Sequence, residues 1–147
     1  MLVQLLILPL IGSLAVLLFA NATTVKRAAL VISLLEFAAS IVFVGKFSPE
    51  AGTQFLQDLS RIPSLGIHFK IGMDGISLLL VLLTTFLTPI IILSSFTREY
   101  KNPKLFYSLI LLMQMALVGV FVSLDGFLFY IFWELALIPI YLICLMW

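Results

Sequence analysis

From Gly75 to Phe96 the chain carries no charged side chain, and that one run already limits what it can fold into. About 20 helical residues cross the ~30 Å hydrocarbon core of a bilayer. Four further apolar runs have a similar reach: Leu2–Ala20, Ala28–Val44, Leu105–Leu124 and Gly126–Trp147. Lipid offers no water to backbone N–H and C=O groups, so runs of this length without strand alternation must be helices. Composition agrees. The chain is 63% hydrophobic and 10% charged, against roughly half and a quarter for an ordinary soluble domain, and its mean hydropathy is +1.27. The expectation is an all-α, multi-span transmembrane protein: one region over 1–147, with about five spanning helices and a long connection at 45–74.

The charges outside the runs predict an orientation. Lys26 and Arg27 fall between the first two runs, and Arg98, Lys101 and Lys104 between the third and fourth. Short loops rich in Lys and Arg stay on the cytoplasmic side or its equivalent. The N-terminus, the 45–74 connection and Asp125 then face outside. The first run is expected to be a mature helix rather than a signal peptide, since Met1–Gln4 lacks the positive charge that precedes one. In the outside connection, Ser48–Leu59 predicts a short surface helix. Ile67–Ile71 alternates apolar and polar residues and predicts an extended segment carrying His68, which reads as a surface residue.

Two carboxylates, Glu36 and Glu134, fall inside runs. An ionised side chain at mid-bilayer costs at least ~2.5–3.5 kcal/mol, so such residues face protein or water and often mark an ion path. At 100° per residue, Tyr130, Glu134 and Tyr141 share a stripe about 40° wide. Pro139 has no N–H for the Leu135 carbonyl, which predicts a kink near the glutamate. A carboxylate, two phenols and an opened carbonyl make a candidate proton-handling site; the alternative is a static hydrogen bond to a neighbouring helix. Glu36 has neither proline nor phenols around it and carries no assigned role. On the third run, Ser77, Thr84, Thr88 and Ser95 share a face and predict close helix packing. Asp74 and Asp125 stand where N-caps belong.

Two segments resemble a known family: GMDGISLLLVLLTTFL at 72–87 and FWELALIPIY at 132–141. They are similar to the M-type, or mitochondrial chain-4-type, antiporter-like subunit of respiratory complex I. The resemblance implies a proton-translocating membrane subunit of an NADH-quinone oxidoreductase, with roughly fourteen helices in inverted five-helix repeats. Electron transfer would occur in other subunits, with no cofactor or metal in this chain. It implies that Glu134 pairs with a lysine on a later helix, beyond Trp147, and tunes its proton affinity. Other membrane subunits, those later helices and lipid are the expected partners, in a bacterial inner membrane or an organelle inner membrane.

Two rivals suit the same residues: a subunit of a multisubunit cation/proton antiporter, and a helical anchor without transport. An independent enzyme is disfavoured, because the chain has no nucleophile–base set or phosphate loop. One His and one Cys are too few for a protein-only zinc or iron–sulfur site. The lone Cys144 reads as a small lipid- or helix-facing side chain, and no basic patch suggests nucleic acid.

Overall fold

The structure, a computed structural model, describes residues 2–48, 50, 52–62 and 67–147. Five helices form: α1 (Gln4–Leu18), α2 (Ala22–Lys46), α3 (Gly75–Ser94), α4 (Pro103–Val122) and α5 (Gly126–Met146). Between α2 and α3 lie two strands, β1 (Gln54–Ile62) and β2 (Ile67–Met73). Helices α2 to α5 are long and apolar enough to cross a membrane. With its 15 residues, α1 extends about 22 Å, short of the hydrocarbon thickness. It ends at Leu18 because Phe19 is extended (φ −74°, ψ 138°) to make the tight link into α2.

Two expectations are corrected. Lys26 and Arg27 lie in the first turns of α2 and not in a connection, because the helix starts at Ala22 and outruns the apolar segment. The surface helix expected over Ser48–Leu59 does not form among its described residues, of which Gln54–Leu59 belong to β1; Pro49 and Ala51 lie outside the described residues. A helix of so few residues nucleates poorly in isolation, whereas β2 offers a row of backbone partners. Strands β1 and β2 pair antiparallel, with Gln57 opposite Ile71 and Leu59 opposite Phe69. The pairing is irregular between Gln54 and Gln57, where Phe55 takes a left-handed φ of 56°. The Phe55 ring meets Phe43 of α2 edge-on, 5.0 Å between centroids.

The sheet is fastened to the bundle. Ile71 bridges to Ser123, and the Leu124 N–H donates to the Lys70 carbonyl at 3.0 Å, just past the end of α4. Ile71 and Met73 are fully buried at that contact. At the opposite end, the Lys26 ammonium donates to the Phe96 and Arg98 carbonyls, each at 3.2 Å. That bond ties α2 to the α3–α4 connection and gathers Lys26, Arg27, Arg98, Lys101 and Lys104 at one end.

Inside, α4 is the central helix, packed against α1, α2, α3 and α5. The apolar core is divided in two. One cluster lies near the sheet and includes Leu5, Phe43, Val81 and Met115. The other lies near the basic end and includes Val16, Ala29, Ile92 and Leu111. Buried polar side chains fall between the two on each of these four helices: Ser13 on α1; Ser33, Glu36 and Ser40 on α2; Thr85 and Thr88 on α3; Gln114 on α4. The bundle has a polar waist.

Candidate functional site

Helix α5 starts where its sequence provides a cap. The Asp125 carboxylate accepts hydrogen bonds from the Phe127 and Leu128 N–H groups, at 2.9 and 3.2 Å. Asp74 does the same for α3, accepting from the Ser77 N–H at 2.7 Å. Each carboxylate thereby satisfies donors that have no partner within the helix.

The packed face of α5 consists of Leu128, Phe132, Ala136 and Pro139. Phe132 lies against Gly119 of α4 so closely that a Cβ on Gly119 would overlap its ring. Glycine is what lets the two helices approach. Glu134, Tyr130 and Tyr141 lie about half a turn of the helical wheel away from this face, and all three are exposed on the isolated chain. The Tyr130 phenol engages the Glu134 carboxylate one turn along. Tyr141 continues the stripe, a further two turns along. Pro139 sits on the packed side, and α5 continues through it as far as Met146. The stripe is therefore brought together, but by α5 alone; no other described helix closes over it. Cys144 is exposed on the same helix.

The hydroxyls of α3 are placed differently from their wheel assignment. Thr88 and Ser95 are buried, and Ser95 and Tyr107 share a hydrogen bond at 2.7 Å. Thr84 instead donates to the Leu80 carbonyl of its own helix. It is Thr85 that reaches across, sharing a hydrogen bond with Ser40 of α2 at 2.8 Å.

Glu36, which the sequence marks as an intramembrane acid without assigning it a role, proves to be enclosed by the bundle. It is 0% exposed, and among the described residues neither of its carboxyl oxygens has a hydrogen-bond partner. A signal was present: Ser33, Glu36 and Ser40 are spaced to share one helical face, a polar stripe of small hydroxyls in an otherwise apolar helix.

No protein-family model matches. The chain is 46% identical over 100 residues to "F(420)H(2) dehydrogenase subunit M" of Methanosarcina mazei, covering 68% of this chain and 20% of that protein. It is 43% identical, across 100% of its own length, to "NADH-ubiquinone oxidoreductase chain 4" of Mycosarcoma maydis, of which it spans 31%. Against "NADH-quinone oxidoreductase subunit M" of Rhodobacter capsulatus the identity is 41%, over 84% of this chain and 23% of that one. The chain is a subunit M homologue.

The fold agrees. A chain of "Respiratory complex I from Thermus thermophilus with bound NADH" superposes with a TM-score of 0.79 at 26% identity, over 95% of this chain and 27% of that one. With four helices of spanning length, this subunit M homologue is a multi-pass membrane protein. It spans between about a fifth and a third of the relatives it matches. The two segments that carried the resemblance have clear structural work in it. The first is β2's end, the Asp74 cap and the start of α3; the second is the middle of α5, with its packed and polar faces.

Proposed function

We propose that this chain is part of the proton-translocating membrane subunit of a quinone oxidoreductase of the complex I kind, and that Glu134 carries its proton chemistry. The observation that supports this reading is the facing of α5. Glu134 and Tyr130 point together away from the bundle, on a helix otherwise covered with apolar side chains. A carboxylate left in acyl chains would be costly, so the stripe calls for a cover of protein. Relatives several times longer than this chain have the residues to provide it. In this reading a lysine on a later helix of the same subunit meets Glu134. The carboxylate stabilises the lysine's charged form, and a change in their separation loads or releases a proton.

Electron transfer, with its redox groups, belongs to partner subunits, and this chain supplies none. The relatives named for F420H2 and for NADH suggest that the electron donor is set elsewhere in the assembly. The basic end gathered by Lys26 takes the cytoplasmic or equivalent side. The sheet and the N-terminus then face the opposite compartment, in a bacterial inner membrane or its organelle counterpart.

The test is Glu134→Gln in the assembled, membrane-embedded enzyme, with proton pumping and quinone reduction measured together. Pumping should fall at least tenfold with assembly intact, and Glu134→Asp should retain part of it. Full pumping by a normally assembled Glu134→Gln enzyme would refute the reading and favour a purely structural role.

A further inference from the structure

Within the described residues, four buried side-chain atoms have no hydrogen-bond partner: the two carboxyl oxygens of Glu36, and the amide nitrogen and oxygen of Gln114. Two contacts fix how deep each residue sits. The Ser40–Thr85 bond sets the register of antiparallel α2 and α3, and four positions on from it along each helix Glu36 falls level with Pro89. The Ser95–Tyr107 bond sets α3 against α4, and seven positions on from it Gln114 falls level with Thr88. Glu36 and Gln114 therefore stand at one depth, on two helices that touch. Both lie in the polar waist between the apolar clusters. Pro89, at the same level, has no N–H for the Thr85 carbonyl, which leaves a further acceptor there.

Among the described residues no countercharge reaches this level. Helices α1 and α3 contain no ionisable side chain, and α4 has only Lys104 and Tyr107 near its basic end. On α2 the cations are Lys26 and Lys46, each about 15 Å from Glu36 along the axis, with Arg27 beside the first. The one carboxylate of α5, Glu134, lies on its outward face. Glu36 is also enclosed completely by this part of the chain, so a later helix could not meet it without moving the bundle apart. A bare carboxylate here would carry an uncompensated charge in a medium that penalises it heavily.

We propose that Glu36 and Gln114 form an internal proton-binding site, in which Glu36 is a neutral carboxylic acid bridged by water to the Gln114 carboxamide. The acid O–H donates to the water, and the water donates to the amide oxygen. On release Glu36 gives its proton to that water, the water gives up one of its own protons toward the hydroxyl line of Ser33 and Ser40, and the carboxylate left behind accepts from the water that remains. The hydroxyls of Ser33 and Ser40 extend the acceptor set along α2. The inference rests on the packing of these four helices and not on the assignment of Glu134.

Infrared difference spectroscopy on the full-length protein in its membrane assembly, in H2O and in D2O, tests it. The expected result is a protonated-carboxyl C=O band at neutral pH that shifts in D2O, vanishes in Glu36→Gln and moves in frequency in Gln114→Leu. Glu36→Gln, neutral and close in shape, should accumulate at the parental level. If it does not, carbon-isotope labelling of the parent's glutamates and the Gln114→Leu shift decide the matter without it. Absence of any protonated-glutamate band overturns the proposal. So does a band insensitive to D2O, which means a sealed acid, or a carboxylate band that responds only to added sodium, which means a cation site.

Discussion

Glu36 and Glu134 are the same residue placed in apolar helices of similar length, and the bundle treats them in opposite ways. Glu36 on α2 points into the space between α1, α3 and α4 and is wholly enclosed. Glu134 on α5 points away from α4, next to Tyr130, and stays uncovered by the chain that carries it. The cause is the position of each helix. Strand β2 and α4 are the chief contacts of α5, so only one stripe of it is packed, whereas α2 has neighbours on several sides. An enclosed acid can serve only what its own bundle holds. An outward acid is available to whatever covers the helix. Depth in the membrane and sidedness in the bundle are therefore separate variables, and both matter to what a carboxyl can do.

Reversing the charge at each position should show the largest difference. Glu36→Lys places an ammonium in a closed waist where no carboxylate can meet it, and costs at least ~2.5–3.5 kcal/mol. The expected outcome is loss of assembled protein, read by quantitative immunoblotting of membranes. Glu134→Lys leaves the packed face of α5 untouched, so the protein should accumulate while pumping is lost. Equal loss of protein from both variants would break the comparison.

Next in size is the contact that decides which way α5 faces. Gly119→Val drives a branched side chain into the Phe132 ring, and overpacking of this kind costs about 1–3 kcal/mol. The paired change Gly119→Val with Phe132→Ala should recover part of that loss, because the ring is what the new side chain strikes. Thermal unfolding in detergent with both singles and the double checks it. No recovery would mean that α5 is oriented by something other than this contact.

These two sites also show how far residues can be read unaided. The caps Asp74 and Asp125 are legible, because a carboxylate directly before an apolar run has a local job that needs no knowledge of neighbours. The extended segment at Ile67–Ile71 is legible from its alternation, and β2 carries it on to Met73. Its partner β1 is not: Gln54–Ile62 lacks alternation and becomes a strand only because β2 lies beside it. The stripe of Tyr130, Glu134 and Tyr141 follows from helical geometry, but which side of α5 meets the bundle depends on Gly119 of another helix. Thr84 and Thr85 differ by 100° on the wheel; without the position of α2, nothing says which of them crosses. Glu36 fails for the same reason. Its enclosure is a property of four helices at once.

A smaller effect belongs to the Ser40–Thr85 hydrogen bond at the edge of the waist. Hydrogen bonds between membrane helices average about 0.6 kcal/mol and reach about 1.7. A double-mutant cycle with Ser40→Ala and Thr85→Val should give a coupling in that range. The same cycle built on Glu36→Gln should keep its sign, since this bond does not use the carboxyl. A coupling near zero would mean that the waist is held by packing alone.

An effect of similar size lies outside the membrane-spanning helices, at Asp74, and it depends on pH. The Ser77 backbone N–H donates to this carboxylate and holds its pKa below the ordinary range for an aspartate. Asp74 is exposed, so solvent weakens the electrostatic part of the effect, and replacing a cap of this type by alanine costs about 1 kcal/mol or less. The sign follows from linkage. A folded-state pKa below the unfolded value adds stability that is fully present above the unfolded pKa and fades as pH falls through the folded one. The parent should therefore be more stable than Asp74→Ala at neutral pH, and the difference should shrink on acidification below the usual carboxylate range. Asp74→Asn retains a capping oxygen without a charge, so its deficit at neutral pH should be smaller than alanine's, and the difference between Asp74→Asn and Asp74→Ala should be flat with pH. A flat difference between parent and Asp74→Ala would show that the cap works through its geometry alone.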